Sequence, residues 1–244
     1  GNWKMNLNRE SILQLCKAIQ ESASRKQDVE VGVFPPYPYL SLVVETLQGS
    51  GVSVGGQDLY FENKGAFTGQ VSGPMLKDVG VQYALIGHSE RRHVFGETDE
   101  ETCKKVKAAI DADLKPVLCV GEKLPERESG KTREVVVRQC EQGVKGFSES
   151  DLRHLVIAYE PVWAIGTGKT ATTEQAGEAH QMIRAWFGTA LSKPFADQLR
   201  ILYGGSVTPE TVDSLMAVEG VDGALVGGAS LKPESFGRII QFES

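Results

Sequence analysis

The chain has 244 residues, 41% of them hydrophobic and 24% charged, with a formal net charge of −6. Those values fit one folded domain spanning residues 1–244 with a sizeable core, and they exclude a disordered chain. The negative balance argues against a general affinity for nucleic acid or anionic lipid, yet leaves room for a local basic pocket.

The first residues, Gly1 to Lys4, read as an extended stub. They are followed by a helical face formed by Ile12, Leu15, Cys16 and Ile19. Residues 29–33 make a tight apolar run stopped by Pro35-Pro36. Similar runs recur at 51–55, 83–86, 116–120, 155–159, 199–203 and 223–226. They are short, nearly all apolar and not alternating, as strands covered on both faces are. Between them Val106, Ala109 and Ile110 mark one helix, and Val135, Val136, Gln139, Cys140 and Val144 a second. Ala179, Met182, Ile183 and Trp186 mark a third. Thr98 and Thr172-Thr173 are placed as helix caps, and Pro209 and Pro233 as first-turn prolines. Strands alternating with helices predict a parallel sheet, and eight units counting the stub predict closure into a (β/α)8 barrel. An open, doubly wound sheet is the competing arrangement.

No apolar run nears the ~18 residues of a membrane-spanning helix, and the first eight residues have no apolar stretch of the kind a secretory signal carries. The cysteines Cys16, Cys103, Cys119 and Cys140 are scattered, with no C-x-x-C pair. That usage predicts reduced thiols and a cytoplasmic setting.

In a barrel, reacting groups lie just past the carboxyl ends of the strands. There the sequence puts Asn2 and Lys4, then His88, Ser89 and Glu90, then Glu160, then Gly204, Gly205 and Ser206, and last Gly227 and Gly228. Taken singly, Glu160 reads as a surface carboxylate, His88 as a core histidine and Lys4 as an exposed charge. On one rim they supply a base, an electrophile and a cation. Glycine pairs after the last two strands let backbone N–H groups approach a phosphate closely. His93, His154 and His180 lack such company, and no grouping has metal-ligand spacing. Residues 166–170, Gly-Thr-Gly-Lys-Thr, end like a nucleotide-binding P-loop. Its first glycine is missing, however, because Trp163 stands five residues before Gly168. The stretch from Pro161 to Ala171 reads instead as a lid: a small tip, Ala164, Ile165, Gly166, Thr167 and Gly168, between hinges of Pro161, Val162 and Trp163 and of Lys169, Thr170 and Ala171.

The blocks at 1–6 (Gly-Asn-Trp-Lys-Met-Asn), 87–92 (Gly-His-Ser-Glu-Arg-Arg), 158–168, 203–207 and 227–231 resemble triosephosphate isomerases in sequence and order. The resemblance implies a homodimeric enzyme of glycolysis and gluconeogenesis that interconverts dihydroxyacetone phosphate and glyceraldehyde 3-phosphate with no cofactor and no metal. It implies Glu160 as the base, His88 as a neutral electrophile, and Lys4 as the cation. Asn2 would help position oxygens, and Glu90 would pair with Lys4 or relay protons. Gly166, Ser206, Gly227 and Gly228 would hold the phosphate, and Tyr203 the closed lid. The loop from Gln57 to Gly73 resembles the family's interdigitating loop, with Thr68 reaching toward the partner subunit. Two departures stand out: the first strand is largely missing before Asn2, and Leu7 stands where the family more often has glycine. With seven strands alone, Asn2 and Lys4 would sit on a frayed end, so a segment preceding Gly1 is expected in the working protein. A Schiff-base aldolase using Lys4 and a catalytically inactive phosphosugar-binding protein are the alternatives.

Overall fold

The computed structural model describes residues 1–165 and 171–243. Seven parallel strands run in sequence order: β1 (Gly32–Val33), β2 (Ser53–Gly56), β3 (Tyr83–Ile86), β4 (Lys115–Val120), β5 (Val156–Tyr159), β6 (Arg200–Tyr203) and β7 (Gly223–Ala224). Each pairs with the next in parallel register, for example Leu85 with Val117 and Val117 with Val156. The chain is an α/β protein of the barrel type expected; a sheet ordered strictly by sequence is not the doubly wound arrangement.

Residues 1–3 close the ring. Asn2 N–H donates to the Val226 carbonyl at 2.8 Å, Phe34 N–H to the Gly1 carbonyl at 2.8 Å, and Trp3 N–H to the Phe34 carbonyl at 3.1 Å. The stub is thus hydrogen-bonded to the ends of both β1 and β7. Asn2 is 5% exposed and Trp3 fully buried, so Asn2 does not lie on a frayed end. Below Gly1 a cavity of about 300 Å³ opens between Val31, Tyr83, Leu202, Phe236 and Ile239.

The uniformly apolar strands have a simple origin. Successive side chains of a strand point to opposite faces. Leu85, Val117, Cys119, Val156 and Ala158 fill the inside of the barrel. Ala84, Ile86, Leu118, Val120, Ile157 and Tyr159 pack outward under the helices. Both faces are dry, so neither needs a polar residue. Each fully buried aliphatic side chain contributes about 1.5–3 kcal/mol relative to exposure.

The helices follow their caps and stripes. In Arg9–Arg25 the Asn8 side chain accepts from Ser11 N–H, and Ile12, Leu15, Cys16 and Ile19 are the buried face. Asp99–Asp111 starts at Thr98, which exchanges hydrogen bonds with Glu101; Thr173–Ala190 starts at Thr172 with Gln175 in the same role. In that helix Ala179 and Ile183 are buried as expected, with Phe187 beside them, while Met182 and Trp186 are only partly covered. Pro233 opens Pro233–Ile240. Pro209 does not open a helix. Residues 209–211 form a turn in which the Thr208 carbonyl accepts from Thr211 and Val212, and the helix begins at Val212.

Among the described residues no helix is long and apolar enough to cross a membrane. All four cysteines are free thiols.

Candidate active site

The strand ends deliver the side chains. Immediately after β3 the chain turns through Gly87, whose φ of 69° suits a residue without Cβ. It then starts the short helix Ser89–His93 with His88 as its cap. Glu160 follows β5, and its N–H still donates to the Val120 carbonyl of β4 at 2.7 Å. Gly204 follows β6 and donates to the Tyr159 carbonyl at 2.7 Å. These positions are continuations of the sheet, not free loops.

The predicted base, imidazole and cation form one chain of contacts. The Lys4 ammonium meets Glu90 Oε1 at 2.7 Å. The second Glu90 oxygen lies 3.7 Å from His88 Nδ1, and His88 Nε2 lies 3.0 Å from Glu160 Oε1. Glu90 N–H donates to His88 Nδ1 at 3.3 Å, which requires a lone pair there; the proton of the neutral ring is therefore on Nε2, facing Glu160. Both Glu160 oxygens are held: Ser89 N–H donates to Oε2 at 2.9 Å and the Ser89 hydroxyl to Oε1 at 3.2 Å. Glu160 is 2% and His88 6% exposed, so these interactions act with little screening by water.

Glycines surround these groups at close range. A Cβ on Gly227 would stand 3.6 Å from Lys4 Cε, while one on Gly228 would meet nothing within 4 Å. The two residues lead into the turn Gly228–Leu231 beside the cation. A Cβ on Gly204 would press on Glu160 Cγ at 2.9 Å. Ser206 is half-buried past β6. Asn2 Oδ1 accepts from Lys4 N–H at 3.0 Å.

The start of the expected lid is anchored. Val162–Ala164 is a single tight turn. Val162 N–H donates to the Glu122 carbonyl and Trp163 Nε1 to its carboxylate, at 3.1 and 3.0 Å. At the other end Ala171 hydrogen-bonds through its backbone to the Tyr203 hydroxyl, a phenol that burial pushes up to about 12. Gly166, Thr167, Gly168, Lys169 and Thr170 lie outside the described residues. His93, at the end of the short helix that His88 caps, and His154 are exposed, while His180 is fully buried against the rings of Tyr159 and Tyr203 with its Nδ1 on the Gly220 carbonyl.

Several participants were not singled out from sequence. Ser89 was noted only as a neighbour of His88. Glu122 is fully buried and receives Tyr159, Trp163, Arg127 and Thr132. Its place two residues past β4 matches that of the other site residues, and that signal could have found it. Cys119 lies against Glu160, and burial first, the Glu160 charge second, hold its thiol well above the usual range. Asp58, Glu97, Lys105 and Arg91 form a buried ionic cluster, with Lys105 Nζ 2.7 Å from Asp58 and 2.6 Å from Glu97. Glu97 also accepts Gly87 N–H at 2.9 Å, beside His88. Nothing in the local sequence announces that cluster.

A carboxylate, a neutral imidazole and an ammonium arranged in this way suit proton transfer next to a carbonyl. Residues 1–243 match the family model of triosephosphate isomerase. The chain belongs to the triosephosphate isomerase family. It is 50% identical over 243 residues to the triosephosphate isomerase of Moorella thermoacetica, covering 100% of this chain and 97% of the relative. It is 47% identical over 244 residues to that of Thermoanaerobacter pseudethanolicus, covering 99% and 97%, and 49% identical over 241 residues to that of Carboxydothermus hydrogenoformans, covering 99% and 96%. Family membership makes the chain an isomerase and settles the choice against an aldolase or an inactive binding protein.

Proposed function

We propose that Glu160, His88 and Lys4 are the base, the electrophile and the cation of the reaction this family performs. That reaction is the interconversion of dihydroxyacetone phosphate and D-glyceraldehyde 3-phosphate, and the chain performs it. Glu160 takes a proton from the carbon next to the carbonyl while the Nε2 proton of His88 polarises the carbonyl oxygen, giving an enediol(ate). The same carboxylate returns the proton to the neighbouring carbon, and His88 moves protons between the two oxygens. Lys4 stabilises the negative charge, Glu90 orients it, and Asn2 helps place the oxygens. Protons move and no net electrons leave, so the proposal assigns no cofactor.

The observation that carries this reading is the unbroken path of contacts from Lys4 through Glu90 and His88 to Glu160. Ser89 and His88 fill both acceptor positions of Glu160 Oε1 and one of Oε2, which leaves Oε2 a lone pair with which to take the substrate proton. Amides at Gly166, Gly227 and Gly228, with Ser206, grip the phosphate. Residues 161–171 act as the lid that keeps water from the intermediate, with Glu122 and Tyr203 as their anchors.

The active form in this reading is a homodimer in a cytoplasmic setting. Support comes from the loop 57–73: Tyr60 stacks on Phe61 and leans on Phe67, while Phe67 at 39% and Met75 just beyond at 53% remain exposed. Thr68 is exposed at the tip. That loop is assigned the role of inserting into a second copy, with Thr68 near the partner's catalytic groups.

Steady-state isomerase assays on Glu160→Asp and Glu160→Gln test the assignment. Each variant is expected to lower kcat by about 100-fold or more while inorganic phosphate still binds; unchanged turnover in both removes Glu160 as the base.

A further inference from the structure

The cation stands on a backbone that its own residue type does not favour. Lys4 has φ 51°, in the left-handed region that side chains with a Cβ seldom adopt. Such a conformation persists only where neighbours over-determine it. Two neighbours do so here. Asn2 Oδ1 accepts from Lys4 N–H at 3.0 Å. On the other side of the residue, Gln57 Nε2 donates to the Lys4 carbonyl at 2.8 Å and also to the Phe34 carbonyl at 2.9 Å.

A primary amide has two hydrogens to give, and Gln57 gives both. One goes to the residue that carries the ammonium, the other to the residue just past β1 that pairs with the stub. Gln57 itself directly follows β2. It therefore ties the unusual backbone of Lys4 to two strand ends. With its carbonyl released, residue 4 is free to relax to the negative-φ conformations that residues with a Cβ ordinarily adopt, and the ammonium swings away from Glu90.

We propose that Gln57 is a positioning residue of the isomerisation, acting through the Lys4 backbone to aim the ammonium at Glu90 and the substrate. This rests on the assignment of Lys4 as the cation of the reaction. Gln57 touches no reacting atom, so its effect exists only while residue 4 carries a charge to aim.

A double-mutant cycle on kcat/KM tests it, with Gln57→Met, which keeps the length and removes both donors, and Lys4→Ala. Gln57→Met is expected to cost roughly 100-fold with Lys4 in place, the scale of a small misplacement of a catalytic group. On the Lys4→Ala background the same substitution is expected to cost several-fold less. Equal losses on both backgrounds, within about twofold, would mean a general structural role and overturn the proposal. So would a loss below about twofold with Lys4 present. Lys4→Ala alone at full rate would remove the assignment of Lys4 itself, a separate and recognisable failure. Circular dichroism checks that each variant folds; should Gln57→Met not fold, Gln57→Asn, whose amide is one methylene short of the two carbonyls, goes through the same cycle.

Discussion

Replacing Lys105 by methionine should expose how much the buried ionic cluster depends on its central cation. Lys105 is 4% exposed, and its partners Asp58 and Glu97 are 6% and 7% exposed. Methionine fills a similar volume, so the loss is electrostatic and not a cavity. Removing one partner of a buried pair costs about 3–5 kcal/mol, because the other charge is left uncompensated. Arg91 Nε remains 3.1 Å from Asp58 and 3.0 Å from Glu97 and keeps part of the compensation, which puts this case at the low end, about 3 kcal/mol. Urea unfolding at pH 7 reads it as a lower midpoint at unchanged slope. The deficit should also shrink toward pH 5. In the unaltered protein burial raises Asp58, with Lys105 opposing it, while Glu97 sits below its usual value because Lys105 and Arg91 outweigh burial. Without Lys105 both carboxyls are pushed up, and a proton then neutralises one of them. A destabilisation under about 1 kcal/mol at pH 7, the scale of an exposed pair, would refute the reasoning.

Burial lowers the His180 imidazole to about 4. It is therefore neutral in the folded protein, and as pH falls below about 6.5 the unfolded chain alone takes up the proton, so stability is lost between about 6.5 and 4. His180→Gln, which can still donate to the Gly220 carbonyl that His180 Nδ1 meets at 3.1 Å, should recover about 2 kcal/mol of the loss at pH 5; denaturation midpoints at pH 7 and 5 give the comparison, and identical slopes for both proteins would contradict it. Thr172→Ala removes the hydroxyl that accepts from Gln175 N–H at the start of Thr173–Ala190, while the Thr172 backbone N–H still donates to the Gln175 side chain; the expected loss is about 1 kcal/mol, measured by the same titration.

The sequence made some of this legible and hid the rest for physical reasons. Strand positions could be read best where both faces of a strand are dry, so that apolar run and true strand coincide to within a residue, as at Tyr83–Ile86 and Val156–Tyr159; the run 29–33, by contrast, starts three residues before its strand Gly32–Val33. The site residues could be read because a barrel puts its chemistry one to four positions past strand ends, where His88 and Glu160 stand. The buried pairings could not. Lys105 lies 47 residues from Asp58 on an ordinary-looking helix, and a lysine there reads as solvated. Gln57 looked like the start of a loop because its partners, Lys4 and Phe34, lie on two other segments. Pro209 misled because a proline in a first turn and one in a preceding turn have the same local sequence.

Gly121 sits against the backbone of Glu160, where any Cβ would come within 1.7 Å of the carbonyl oxygen, and Gly204 crowds the same residue from the β6 side. Every other amino acid adds bulk at these two points, so the base is boxed in by neighbours that have no smaller replacement. These hydrogen-only flanks act as fixed stops: a methyl group at either point would press on Glu160 and push its carboxylate out of register with His88.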